Sequence, residues 1–236
     1  MNIEHKANIR WKKASMRSLI FSLFFLFISH INAQNQRDFA LITQLNLQKK
    51  ITNHFSISLN FRGFWNENIT ELGRAFGEVG VKYQYNKHWA IAGFYRGMKA
   101  RSMENLYQDV QRFYVDLSYS RNLTKKIDWS YRARLQEQFY GSDLQDGFKS
   151  SRIYTRHKIT LNYDYNWYWS PYLSAEIFYP LNRKINFIDQ VRATAGVSYK
   201  FNKSNSLSAY YQIRKPIYST PSVTQYVAGL VYGFKF

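Results

Sequence analysis

From about residue 38 to residue 236, apolar and polar side chains alternate almost one for one. Phe55, Ile57, Leu59, Phe61, Gly63 and Trp65 are interleaved with Ser56, Ser58, Asn60 and Arg62. Tyr226, Ala228, Leu230, Tyr232, Phe234 and Phe236 are interleaved with Gln225, Val227, Gly229, Val231, Gly233 and Lys235. A period of two sends successive side chains to opposite faces of a strand; a helix needs 3.6. Eleven such segments can be counted, at about 38–50, 54–66, 74–86, 88–98, 110–121, 127–140, 151–165, 169–180, 187–201, 206–214 and 222–236. Most run 11–15 residues, beyond the roughly five or six of soluble strands. A tilted membrane-crossing strand needs about 9–11 residues in the apolar zone, plus its ends.

The connections alternate as well. Short Asn- and Lys-rich turns fall at 52–53, 86–87, 122–126, 166–168 and 202–205, and longer polar stretches at 67–73, 99–109, 141–150, 181–186 and 215–221. Trp89, Trp129 and Trp169 recur at equal spacing, as a hairpin repeat of about 40 residues requires. Short turns at one end and longer loops at the other are the arrangement of outer-membrane barrels.

Sorting each strand into two faces separates the charges. One face holds the basic residues Arg62, Arg74, Lys82, Arg96, Arg112, Arg132, Arg134, Arg152, Arg156, Lys158, Arg192, Lys200, Arg214 and Lys235, with the acidic residues Glu78, Asp116, Asp128, Asp164 and Glu176. The other is apolar within the strand bodies apart from Glu137 and His157, with Lys49 and Arg121 near turns. A Lys or Arg facing lipid at mid-membrane costs about 2–4 kcal/mol, so a bilayer enforces such segregation. On the apolar face, Tyr83, Trp89, Tyr119, Trp129, Tyr163, Trp169, Tyr199 and Phe236 gather near the short turns, where rings at one level would form an interfacial girdle. A soluble β-sandwich would also alternate, but it leaves the strand length and the one-sided aromatics without a cause.

The N-terminus carries a different pattern. Lys12, Lys13 and Arg17 precede an uncharged apolar run from Leu19 to Ile28, then polar residues and Ala33. A basic region, a short apolar run and a small residue predict a cleaved signal peptide over 1–33, with Met16 as an alternative start. Ten residues make about 15 Å of helix, half of a ~30 Å hydrocarbon core, so this run is not expected to anchor the chain. The expectation is an all-β, antiparallel up-and-down transmembrane β-barrel over 34–236, in the outer membrane of a diderm bacterium. Single-chain bacterial barrels have even strand numbers. The count of eleven therefore predicts ten wall strands, with 34–50 outside the wall, or twelve, with one unrecognised; twelve is preferred.

Charge and composition then take their meaning from the pattern. The chain has 33 Lys+Arg against 15 Asp+Glu, a formal net charge of +18, and 19% aromatic residues. Such a charge suggests nucleic acid, but the basic residues follow strand parity and do not form one patch. Removing 1–33 takes out Lys6, Arg10, Lys12, Lys13 and Arg17 against Glu4, and the remainder stays strongly basic. The absence of cysteine excludes disulfides, thiolate metal sites and a thiol nucleophile. His54, His88 and His157 have no metal-ligand spacing, so neither metal nor cofactor is expected.

Phe236, with Phe234 and Tyr232 at alternate positions before it, resembles the C-terminal signature of outer-membrane proteins. That resemblance implies the barrel-assembly machinery and outer-membrane lipid as partners. The chain also resembles the outer-membrane family called domain of unknown function 2490. The matching stretches are 55–59, 81–87 (Val-Lys-Tyr-Gln-Tyr-Asn-Lys), 171–176 (Pro-Tyr-Leu-Ser-Ala-Glu) and 197–203 (Val-Ser-Tyr-Lys-Phe-Asn-Lys). The family implies a barrel and supplies no activity.

Three functions follow for such a barrel. The first is a basic lumen largely filled by side chains, structural or giving narrow passage to an anion or other solute. Phe64, Phe76, Phe94, Tyr114, Tyr154, Tyr172, Phe178 and Tyr210 lie among its charges, and the bland form is an ion-pair network that seals it. The second is an enzyme acting on outer-leaflet lipid, suggested by Glu137 and His157 across one hairpin; it lacks a nucleophile, Ser151 being six residues from His157. The third is binding of an outer-membrane partner through the 99–109 and 141–150 loops.

Overall fold

The computed structural model describes residues 37–101, 106–141, 148–182, 187–217 and 223–236. The expected signal peptide, the start-site alternatives and the centres of the 99–109 and 141–150 loops lie outside the described residues. Eleven strands form: β1 (Arg37–Lys50), β2 (Phe55–Asn66), β3 (Glu71–Gln84), β4 (Trp89–Arg101), β5 (Tyr107–Asn122), β6 (Ile127–Gly141), β7 (Phe148–Tyr163), β8 (Trp169–Pro180), β9 (Gln190–Lys200), β10 (Asn205–Pro216) and β11 (Thr224–Lys235). Each corresponds to one alternating segment of the sequence.

Every strand pairs antiparallel with the next, and the sheet closes on itself through β1 and β11. The preference for twelve is thereby corrected: the barrel closes with eleven. The closing pair runs parallel, over twelve register positions from Arg37↔Thr224 to Gln48↔Lys235. An odd meander makes this unavoidable, because its first and last strands point the same way. The C-terminal residue helps to hold the seam: the Phe236 N–H donates to the Gln48 carbonyl (3.0 Å), and the Lys50 N–H donates to the Phe236 carbonyl (3.3 Å).

The five short turns share one device. A side-chain oxygen at the turn's start accepts two backbone N–H groups, two and three residues on. Thr52 and Thr124 do this with their hydroxyls, and Asn86, Asn166 and Asn202 with their amides, at 2.7–2.9 Å. These are the local bonds for which Asn and Thr are selected in turns. At the other end β2 and β3 are joined by only Glu67–Thr70, so this connection is as short as the turns opposite and not the longer loop expected.

Strand parity decides which atoms are buried. The odd positions of β2, Ile57, Leu59 and Phe61, are 41–51% exposed on the outer wall. Phe64, Tyr114, Phe178 and Val227 are buried inside. Two glycines set how closely the interior packs: a Cβ on Gly229 would collide with the ring of Tyr210, and a Cβ on Gly196 with the ring of Tyr172 and the Cβ of Tyr210. These tyrosines lie flat across neighbouring strands where no side chain stands in the way.

Candidate functional site

A cavity of about 480 Å³ lies within the barrel, lined by ten basic side chains and three carboxylates among the described residues. The chemistry is set by how the charges meet. Glu78 on β3 accepts from Arg96 Nε on β4 (2.6 Å) and from Asn60 Nδ2 on β2 (2.9 Å). Asp116 on β5 takes both arms of Arg134 on β6, at 2.6 and 2.8 Å, the bidentate geometry in which a carboxylate holds Arg most firmly. Glu176 on β8 is shared by Arg132 (2.6 Å) and Arg156 (2.8 Å). These three clusters run from β2 to β8 as buried ion pairs; the Glu78, Asp116 and Glu176 side chains are only 5–8% exposed.

Aromatic rings fill the gaps between guanidiniums. Phe76 lies under Arg62 and Arg96 (5.0 and 3.7 Å), Tyr114 under Arg96 and Arg134 (5.7 and 3.7 Å), Phe178 under Arg156 and Arg192 (4.2 and 4.1 Å), and Phe64 under Arg74 and Arg214 (5.0 Å each). A ring face attracts a cation, so each ring steadies two like charges that would otherwise repel. Glutamines take further donors: Gln44 accepts from Arg62 (2.6 Å), Gln138 from Arg112 (2.9 Å), Gln190 from Arg192 (2.8 Å) and Gln212 from Arg214 (2.6 Å). Parity reasoning named the charges and the rings but missed these glutamines. The signal was present, since Gln190 and Gln212 stand two residues before Arg192 and Arg214 on the same face.

The expected lumen residues do not all reach this cavity. Arg62, Arg74, Arg96, Arg112, Arg132, Arg134, Arg156, Lys158, Arg192 and Arg214 line it, with Glu78, Asp116 and Glu176. Lys82 lines a separate pocket at the short-turn end, with Lys50, His54 and Lys235. Asp128 lies at that end too, accepting from Asn162 Nδ2 (2.8 Å). Asp164 corrects the sequence reading: β7 stops at Tyr163, so Asp164 lies in the turn, exposed, and accepts from Ser170 Oγ (3.0 Å). A larger groove of about 930 Å³ runs along the outer wall beside Phe61, Trp65, Leu72 and Tyr95, and its lining is mainly apolar.

On the outside, aromatic rings pack on one another near the short turns. Trp89 packs on Tyr119 (4.8 Å between ring centres), Tyr119 on Trp129 (5.7 Å), Trp169 on Tyr199 (4.6 Å) and Phe55 on Tyr83 (4.8 Å). Tyr163 lies 6.4 Å from Tyr165. Phe234 and Phe236 stack at 5.5 Å, and Tyr232 donates to Asn205 (2.5 Å).

The Glu137–His157 pair is not formed. Glu137 stands opposite Ile153 and His157 opposite Ala133, four residues apart in register, or about 13 Å along the strand. His157 Nδ1 instead meets the Tyr131 hydroxyl at 2.6 Å. The hairpin register brings i and j together only where their sum matches the turn, and these two do not.

A family model matches residues 39–220, nearly the whole barrel. The chain belongs to the family described as Protein of unknown function (DUF2490). Curated proteins provide no match to this DUF2490 chain. Among solved structures it is similar to a NanC porin, with a TM-score of 0.51 and 12% identity over 84% of this chain and 97% of that one. It also matches the CymD monoaromatic hydrocarbon channel (TM-score 0.41, 9% identity, 72% of this chain and 66% of that). A third match is the Ralstonia pickettii toluene transporter TbuX (TM-score 0.36, 12% identity, 74% and 61%). At these identities the porin likeness speaks for the barrel fold of the DUF2490 chain alone.

Proposed function

We propose that this DUF2490 protein is an outer-membrane barrel whose basic interior gives narrow passage to small anions, with no enzymatic activity. The observation that carries the reading is the imbalance inside. Among the described residues, Arg62, Arg74, Arg112, Lys158, Arg192 and Arg214 line the cavity with no carboxylate in ion-pair range. Uncompensated cations around a narrow path lower the energy of an anion there and raise that of a cation. The apolar outer wall and the rings beside the short turns support insertion in a bilayer, with that girdle at one interface. Export by the N-terminal segment, lipid and the assembly machinery as partners, and Tyr232, Phe234 and Phe236 as the assembly signal complete the reading.

We call the three ion-paired clusters, set in the middle of their strands, the waist. Single-channel recording in planar bilayers under a KCl gradient tests the proposal. The expected result is small conductance reversing towards the chloride equilibrium potential. Cation preference overturns it, and a bilayer that stays silent replaces it with a sealed, structural barrel.

A further inference from the structure

Cross-strand neighbours that face each other directly interact most strongly in a sheet, and like charges placed so are destabilising. Among the described residues the interior contains four such basic pairs: Arg96↔Arg112, Arg132↔Lys158, Arg134↔Arg156 and Arg192↔Arg214. In the first three at least one member is neutralised, by Glu78, Asp116 or Glu176. Arg192 and Arg214 differ, for neither has a described carboxylate within ion-pair distance. Glu176 stands opposite Arg192 in register, but Arg132 and Arg156 hold it. Asp38 stands two strands from Arg214 and accepts from Gln225 (2.9 Å), and Asp189 accepts from the Tyr154 hydroxyl (3.1 Å).

The pair is nonetheless built, not merely left over. Gln190 and Gln212 each hold the Nε of one arginine, and Gln212 is itself anchored to Thr194 Oγ1 (2.8 Å). Phe178 lies beneath Arg192 and Phe64 beneath Arg214. Both forks are thus fixed at one corner, and both side chains line the cavity. Arg214 is only 7% exposed. Arg74, which shares the Phe64 ring, is exposed at the loop end.

We propose that Arg192 and Arg214, assisted by Arg74, form a binding site for the oxyanion of a small solute, a phosphate or carboxylate group, in the loop-side half of the barrel. Planar guanidinium forks match both groups in two-point hydrogen bonding, and an anion between the arginines replaces their repulsion by two attractions. The site deepens the reading of a basic passage, yet it can exist in a barrel that conducts nothing.

The test uses the full mature chain folded in detergent micelles, with inorganic phosphate and acetate as probes. Phosphate is expected to raise the midpoint of thermal unfolding by about 3 °C over chloride at equal ionic strength, because a ligand bound only to the folded state stabilises it. Titration calorimetry should show phosphate binding weakened about tenfold or more by Arg214→Gln or Arg192→Gln. Arg214→Lys, which keeps the charge and loses the fork, should weaken it less. Lys87→Gln and Lys203→Gln, in the turns at the far end, should leave binding unchanged. Heat-shifted migration on gels identifies variants that have not folded, and the phosphate-against-chloride comparison on the native chain stands without them. Neither probe stabilising the native chain overturns the site, as does equal binding by folded Arg192→Gln/Arg214→Gln. Binding without conductance sinks the passage and keeps the site; anion conductance without either effect does the reverse.

Discussion

The waist and the loop-side half of this barrel use the same residue types and reach opposite electrostatic outcomes. At the waist, Asp116 is gripped by Arg134 through two bonds, and Glu176 is shared between Arg132 and Arg156. Beside it, towards the loops, Arg192 and Arg214 face each other, held by glutamine oxygens and ring faces and, among the described residues, by no ion pair. The waist is held by mutual neutralisation. The upper pair is held by backbone register and retains a need for negative charge. The wall closes here without each interior charge being matched by a described carboxylate.

The largest effect should come from breaking the waist. Glu176→Gln leaves two guanidiniums buried without their carboxylate and should cost about 3–5 kcal/mol, read from urea unfolding in lipid vesicles. A loss no larger than that of a surface variant would mean that the waist is as solvated as the mouth. Next comes the contrast between the two faces of one strand. Leu59→Arg puts a charge on the outer wall and should cost about 2–4 kcal/mol in the same assay. The chain's own arginine at position 62, three residues away on the inner face, is tolerated.

Packing should give a middling effect. Gly229→Ala forces a methyl against the Tyr210 ring and should cost about 1–3 kcal/mol, with Tyr210→Ala in the same chain recovering part of it. The smallest effect has the most telling sign. Arg214→Gln should change stability by under about 1 kcal/mol in chloride, in the stabilising direction, because it removes a directly opposed like charge. A loss of several kcal/mol would place Arg214 in the same class as the waist arginines.

Much of this was legible along the chain because a strand's chemistry repeats every second residue. Alternation at 55–65 and 226–236 was enough to place Leu59 outside and Arg62 inside, and the Asn and Thr residues of the turns marked where hairpins reverse. Asp164 was misplaced because parity cannot show where a strand ends; Asn166 bonds the Tyr168 and Trp169 N–H groups and closes the turn below it. Glu137 and His157 share a face and a hairpin, but only the register shows them four residues out of step. Closure was also out of reach. Counting parity argued for twelve strands, and pairing β1 with β11 in parallel made eleven sufficient.

The sequence by itself determined the barrel class, the strand bodies, the apolar wall and the sign of the interior, since each follows from residue type and a two-residue period. Only the tertiary structure decided which charges neutralise one another. Arg134 finds Asp116 from 18 positions away along the chain, and Arg132 finds Glu176 from 44, while Arg192 and Arg214 are brought face to face with no ion pair among the described residues. That outcome depends on hairpin register and on closure around the ring, which are properties of many strands at once and are written in no single one of them.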